Sequence, residues 1–202
     1  MNIYVGIDPS INSTGITIRC GNNVKFYIIK GGKLTKKEKE AQENNKEVFE
    51  YVLYEKEELS KDHYVRELNK STNISSIANT IYTLLLANYR LYIERGKKVG
   101  KVLVCMEGIS YGSIKSAAVM DLAGLNYMIR DRLLREGSVV SYLYVVPPAE
   151  IKRFATGQGN ANKVLMIAAF QGTWPDLSLP KVDDVCDSWF MSKFVEYKEE
   201  KS

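Results

Sequence analysis

The sequence predicts an α/β fold: a mixed sheet, in which an antiparallel meander is joined by parallel strands, flanked by helices on both faces. Two observations indicate it. The first 30 residues have the pattern of three strands joined by short turns, and the residues after about 70 alternate between helical and strand patterns. The chain has 202 residues, of which 45% are hydrophobic and 26% charged. This composition suits one folded domain with a core and excludes wholesale disorder.

The opening strands are the clearest part of the pattern. Residues 3–7 form an apolar run that ends at Asp8, and residues 15–20 alternate between apolar and polar side chains. A turn with the sequence Gly21-Asn22-Asn23 then leads into residues 24–29. Three short strands in succession predict an antiparallel meander.

Residues 31–70 differ in composition from the rest of the chain. They contain nine Lys or Arg and ten Asp or Glu, a net charge of −1, whereas the whole chain carries +4. We interpret them as an exposed insertion in a single domain that spans residues 1–195 and ends in a charged tail at 196–202. Four apolar residues are expected to anchor one amphipathic helix in this insertion: Val48, Phe49, Val52 and Leu53.

The remaining elements alternate. Apolar side chains at helical spacing predict a helix over residues 74–92, with Ser71 or Thr72 as its N-cap and Gly96 and Gly100 at its end. A continuous apolar run at 102–106 predicts a buried parallel strand that ends at Glu107. The further predictions are a helix at 114–135, a strand at 139–146, a short helix from Pro147 to Phe154, a loop at 157–160, and helices at 163–170 and from 182 to about 194.

Several classes of protein are excluded by what the sequence lacks. No apolar stretch is long enough for a membrane helix, and the first residues lack the pattern of a secretory signal. We therefore expect an intracellular protein without a membrane partner. His63 is the only histidine, so a site that needs two histidines is impossible. The three cysteines are too far apart for a CxxC motif and are expected to be small buried thiols.

Carboxylates are the candidate chemical groups. Asp8 and Glu107 each follow a strand that is expected to be buried, at the edge of the sheet where ligands of α/β proteins bind. Asp184 and Asp187 lie three residues apart on a predicted helix and therefore share one face, whereas Asp183 is expected to point elsewhere. Four converging carboxylates would suit Mg²⁺ or Mn²⁺, and two such ions about 4 Å apart could bind the attacking and leaving oxygens of a phosphodiester.

Each acid also has a simpler explanation. Asp8 could cap the turn at Pro9, and Glu107 could merely begin a loop. The acids at 183, 184 and 187 could complement the dipole of a helix N-terminus. The case for a site depends on all of them occurring together.

Together these motifs resemble the RuvC family of Holliday-junction resolvases. The resemblance covers residues 1–30 and about 100–194 in unbroken order, and the segment from Gly157 to Lys163 is its most specific part. The matching motifs are Gly6-Ile7-Asp8-Pro9-Ser10 with Thr14-Gly15, Glu107 after an apolar strand, Ile151-Lys152 followed by Gly157-Gln158-Gly159-Asn160-Ala161-Asn162-Lys163, and Asp184-Val185-Cys186-Asp187.

The resemblance implies an RNase H-like fold, a homodimer, and Mg²⁺-dependent nicking of two strands at a four-way DNA junction. By motif match, the metal ligands would be Asp8, Glu107, Asp184 and Asp187. Lys152 and Lys163 would hold DNA phosphate, and Lys163 would also stabilise the charge that develops during cleavage.

The glycines of the loop agree with a phosphate-binding role. Gly157 and Gly159 would let the backbone approach a phosphate closely, and the start of the next helix favours an anion. An ordinary glycine loop beside a surface lysine is the simpler alternative.

Two features depart from the family pattern. The family often has an aromatic residue three positions after the second acid, where this chain has Ser110, although Tyr111 follows and could stack on a base. The charged segment at 31–70 is also foreign to the compact bacterial pattern and is reminiscent of viral or phage relatives. We therefore expect a location in the cytoplasm of a bacterial cell or an infected host cell.

The preferred hypothesis is a two-metal endonuclease that resolves four-way junctions. One alternative is a nuclease for flaps, forks or other branched DNA. Another is a non-catalytic DNA-binding module on the same fold.

Overall fold

The computed structural model describes residues 1–109, 117–135 and 139–201. The strands in this part of the chain are β1 Ile3–Asp8, β2 Thr14–Cys20, β3 Asn23–Gly31, β4 Phe49–Tyr54, β5 Val102–Glu107 and β6 Tyr142–Val146. The helices are α1 Lys36–Asn44, α2 His63–Glu94, α3 Ala117–Arg135, α4 Pro148–Thr156, α5 Lys163–Gln171 and α6 Val182–Glu200.

The strands form one mixed sheet in the order β4-β3-β2-β1-β5-β6. β1, β2 and β3 pair antiparallel, whereas β5 is parallel to β1, β6 is parallel to β5, and β4 is parallel to β3. The predicted α/β class, a mixed sheet in which an antiparallel meander is extended by parallel strands, is confirmed. Because β2 is the one described strand that runs the opposite way, the other five end at the same side of the sheet, which we call the carboxyl edge.

Helices cover both faces of the sheet, as predicted. α2 and α3 enclose one buried core, with Ile81 and Ile129 among its fully buried side chains. α4, α5 and α6 enclose the other, with Phe170 and Val195 at its centre. The cysteines at 20, 105 and 186 are free and buried, as expected.

α6 lies directly against the meander because two glycines leave room for it. A Cβ atom on Gly6 would overlap the backbone carbonyl oxygen of Ser188, and one on Gly15 would overlap that of Asp184. A buried hydrogen bond of 2.8 Å between the hydroxyls of Thr17 and Ser188 fixes the same contact. The helix that carries two of the candidate acids is therefore held in close contact with β1 and β2.

The prediction of an amphipathic helix around Val48 and Leu53 was wrong. These residues lie in and beside β4, where Phe49 and Tyr51 are buried and Glu50 is exposed, a period of two that suits a strand. The helix that lies wholly within residues 31–70, α1, precedes β4 and is more polar than the predicted helix. The segment is therefore partly incorporated into the sheet and is not wholly exposed.

The start of α2 and the end of α6 also differ from the predictions. α2 begins at His63, since the Asp62 side chain accepts a hydrogen bond from the Val65 amide and caps it, while Ser71 and Thr72 lie inside the helix. The predicted end is confirmed, because Gly96 follows with a φ of 72°.

α6 continues to Glu200, through residues expected to form a charged tail. Ion pairs of Glu196 with Arg19 (2.8 Å) and of Glu199 with Lys101 (2.7 Å) fasten this last part of the helix to β2 and to the start of β5. Within the described residues, we find no helix that could span a lipid bilayer.

Candidate active site

The parallel pairing of β1 with β5 brings the first two acids together. Ile7 is in register with Met106, so Asp8 and Glu107 close adjacent strands at the carboxyl edge. Each of the two carboxyl groups affects the pKa of the other, so their side chains lie close together at this edge.

α6 adds the other two acids. Asp184 and Asp187, one turn apart on its first turns, line a cleft of about 180 Å³ together with Asp8. We call it the carboxylate cleft; its remaining walls come from Lys152, Lys163, Met166, Ile167, Asp183 and Cys186. The four acids predicted from the sequence therefore come from three separate elements to one end of the sheet.

Burial and mutual repulsion raise the pKa values of these acids. Burial raises the pKa of Asp8 well above its usual range, and the negative charges of Glu107, Asp187 and Asp184 add to the effect. Burial, followed by the charges of Glu107 and Asp183, raises the pKa of Asp187 to about 7. The pKa of Glu107 is raised mainly by burial, against the opposing effect of Lys152. The positive charges near the cleft are therefore too few to balance its acids.

Asp184 is held by a serine and a lysine that were not identified from the sequence. The Ser13 hydroxyl donates to Asp184 Oδ2 at 2.5 Å, and Lys181 Nζ donates to Ser13 Oγ at 2.9 Å. Burial still raises the pKa of Asp184, although the Ser13 hydrogen bond acts in the opposite direction. The position of Ser13 in the turn after Asp8 was a usable signal, because that turn must lie at the carboxyl edge.

Asp183 was expected to point away from the site, and this was wrong. It lines the carboxylate cleft and forms an ion pair with Lys163 at the start of α5. The hydrogen bond from Lys163 to Asp183 raises the pKa of the lysine. The reason is the packing of α5 against α6, which places the two helix N-terminal regions side by side.

The second predicted lysine also lies at the site. Lys152, on α4, lines the carboxylate cleft, and its charge lowers the pKa values of Glu107 and Asp187. Two lysines on two helices therefore flank the acids, as expected for residues that would contact an anionic substrate.

The glycines of the loop have structural reasons of their own. Gly157 ends α4 with a φ of 79°, a left-handed conformation that favours glycine. A Cβ on Gly159 would lie 3.2 Å from both the Ala149 carbonyl oxygen and the Arg153 guanidinium. Their proposed contact with DNA remains a prediction, and Tyr111 lies outside the described residues.

The acids supply the type of donor atom that a divalent metal needs, but the described side chains are not arranged around an ion. Carboxylate oxygens are the hard donors that Mg²⁺ and Mn²⁺ prefer. Among the described residues, however, no group of three or more Asp, Glu, His or Cys side chains is in position to hold a metal ion. The hydrogen bond from Ser13 uses Asp184 Oδ2, an oxygen that could otherwise coordinate an ion.

Comparison with known proteins gives structural matches only: no family model and no curated protein sequence matches the chain. The Thermus thermophilus RuvC structure matches with a TM-score of 0.48 and 13% identity, over 98% of this chain and 96% of that one. RuvC of T. thermophilus in complex with Holliday junction substrate gives the same TM-score and coverage at 11% identity. The yeast mitochondrial Holliday junction resolvase Ydc2 gives 0.45 and 14% identity, over 93% of this chain and 75% of that one.

Proposed function

We propose that this protein is a metal-dependent endonuclease that nicks branched DNA, with four-way junctions as its main substrate. The observation that carries the proposal is the carboxylate cleft. Asp8, Asp184 and Asp187 line it, and Glu107 ends the strand beside Asp8, at a place where an isolated buried charge would be costly. Such an arrangement is unfavourable unless a cation offsets it, so it indicates a function rather than a contribution to stability.

The residues that would hold Mg²⁺ or Mn²⁺, in a two-ion site, are Asp8, Glu107, Asp184 and Asp187. Bound there, the metal would supply an activated water and a Lewis acid for phosphodiester hydrolysis. The chain's own part is to orient the acids: Ser13 holds Asp184, and the pairing of β1 with β5 sets Asp8 beside Glu107.

The lysines at the cleft would bind the DNA backbone. Lys163 and Lys152 stand beside the acids on separate helices, and each can offer a positive charge to a phosphate oxygen. The ion pair of Lys163 with Asp183 keeps that lysine at the cleft in the absence of DNA. Its position suits stabilisation of negative charge on the phosphate as the bond breaks.

The test is cleavage of synthetic branched DNA in Mg²⁺ by the wild type and three variants. Asp8→Asn and Asp187→Asn should still bind the junction while the cleavage rate falls by orders of magnitude. Asp176→Asn, which removes an exposed acid on another part of the surface, is the matched control and should cut normally. Near-normal cleavage by both cleft variants would contradict the proposed mechanism.

The choice of substrate rests on the motif resemblance and has its own test. Four-way junctions, forks, flaps and linear duplex should be compared at equal concentration. Preference for flaps or forks would favour the narrower alternative. Tight binding without Mg²⁺-dependent nicking would indicate a non-catalytic DNA-binding module.

A further inference from the structure

A second cleft lies at the carboxyl edge, beside the site already described. Its volume is about 570 Å³, within the range of small-molecule sites. It lies over the ends of β5 and β6, where Gly108 and Val146 form its floor, and we call it the Arg130 cleft. Arg130 enters from α3 on one face of the sheet, and Lys152 enters from α4 on the other.

The Arg130 cleft is continuous with the carboxylate cleft. Lys152 lines both of them, and Gly108 follows Glu107 directly. A polymer that lies in one cleft can therefore pass Lys152 into the other. A free small molecule would not need this continuity, whereas a nucleic acid strand would use it.

The polar groups of the Arg130 cleft favour an anion. Arg130 and Lys152 are both cations, and none of the described residues that line the cleft is an acid. The Arg130 guanidinium carbon lies 4.8 Å from the centre of the Tyr127 ring on the same helix, which helps to hold the side chain in place. A phosphate in the cleft would be attracted by both cations.

The N-terminus of α4 reinforces this preference. Pro147 is its N-cap and makes no side-chain capping hydrogen bond, and Pro147, Pro148 and Ala149 line the cleft. The positive end of the helix dipole therefore faces the cleft without a side-chain cap. Glu150, the acid of this first turn, pairs with Lys198 at 3.3 Å.

The other side of the cleft is apolar. Ile109, Val145 and the two prolines offer carbon surface, and Val145 is 38% exposed. Two cations opposite a hydrophobic wall match a ligand that has both a phosphate and a flat or sugar-like body. One nucleotide of a DNA strand has this combination.

We infer that the Arg130 cleft binds the nucleotide next to the scissile phosphate, with its phosphate on Arg130 and Lys152 and its base or sugar on the Ile109–Val145 wall. The inference rests on the proposed function and adds a residue, Arg130, that neither the motifs nor the carboxylates indicate. Arg130 is a substrate-binding residue in this scheme and takes no part in the chemistry.

The experiment measures binding of a four-way junction in EDTA, so that nothing is cut, over a series of salt concentrations. Arg130→Gln should weaken binding about tenfold, because one charged hydrogen bond is lost. The slope of log affinity against log salt should fall by about 0.9, the value for one phosphate contact. Arg135→Gln is the matched control: it removes an arginine of the same helix whose side chain is 81% exposed and pairs with Asp131.

A second variant tests the apolar wall without changing charge. Val145→Trp, at an exposed position of the last strand, should fill the cleft and weaken binding while the salt slope stays unchanged. Circular dichroism melting should show that each variant is folded at the assay temperature.

The outcomes separate the two claims. If Arg130→Gln and Arg135→Gln both bind the junction with the affinity and salt slope of the wild type, the inference is overturned and the nuclease proposal stays intact. Normal binding by Val145→Trp would overturn the assignment of the wall. A wild-type protein that neither binds nor cuts any branched DNA would overturn the proposed function itself.

Discussion

At the scale of single residues, the sequence predicted where an acid lies in the fold better than it predicted which side chains that acid contacts. Asp8 and Glu107 were predictable because each ends an apolar run, and parallel strands end at the same edge. Asp183 was not predictable, since its contact with Lys163 depends on how two helices pack. Ser13 was missed although its turn follows Asp8 and must lie at the carboxyl edge, because the sequence does not show which acid its hydroxyl contacts.

The raised pKa of Asp187 predicts a pH dependence of stability in metal-free protein. Between the unfolded value of 3.8 and the folded value of about 7, the folded state holds a proton that the unfolded chain has released. The free energy of unfolding should therefore fall as pH rises through this window. Urea unfolding at pH 5 and pH 7.5 measures the effect, which should be smaller in Asp187→Asn. An equal pH dependence in both proteins would show that Asp187 titrates normally.

The hydrogen bond from Ser13 predicts a positioning role. Ser13→Ala should weaken apparent affinity for Mn²⁺ about tenfold, because partners of metal ligands typically contribute that much. The maximal cleavage rate at saturating metal should change less. Titration calorimetry measures the affinity directly, and Ser13→Thr should restore part of it. Ser178→Ala, at an exposed position, is the control. Unchanged Mn²⁺ affinity in Ser13→Ala would remove the role.

At the scale of elements, periodicity identified the elements with strong patterns and failed where charge obscured them. The alternation of β2 and the apolar run of β5 were sufficient to predict both strands. β4 was missed because its six residues carry the period of two within a segment in which nearly half the residues are charged. The pairing with β3 that stabilises it involves residues about 23 positions apart, as for Phe26 and Phe49, which no local pattern records.

The close contact of α6 with the meander gives a prediction at this scale. Gly15→Ala should destabilise the protein by about 1–3 kcal/mol, the usual cost of overpacking, since the new Cβ meets the Asp184 backbone. It should also abolish cleavage by displacing Asp184. Gly124→Ala is the matched control: among the described residues its Cβ would meet Ile74 alone, at 3.7 Å, and alanine favours a helix. Chemical unfolding and nicking assays measure both effects, and a fully active Gly15→Ala protein would contradict the packing argument.

At the scale of the whole molecule, the sheet and its two helical layers followed from composition and the order of elements. The oligomeric state did not follow in this way, because folding of the single chain does not require a regular spacing of apolar residues on an exposed surface. One feature bears on it: Met120, Tyr127 and Leu134 recur every seven residues along α3 and are about 60% exposed (64%, 59% and 60%). Large apolar side chains in a row on one helix face are typical of a contact surface.

We propose that this stripe joins two copies of the chain, as two cuts in one junction would require two clefts. Leu134→Glu should convert a dimer to a monomer in light scattering after size-exclusion chromatography. Leu68→Glu, at an exposed position of α2, should leave the dimer intact. A wild-type protein that is monomeric at high micromolar concentration would contradict the dimer.

The contact of Ser13 with Asp184 joins positions 171 residues apart. During synthesis, the ribosome releases Asp8 and Glu107 long before α6, so an incomplete chain has only half of the acids. Any nuclease activity would therefore begin only after α6 has been translated. The same order of events makes loss of α6 a way to inactivate the protein without changing its first hundred residues.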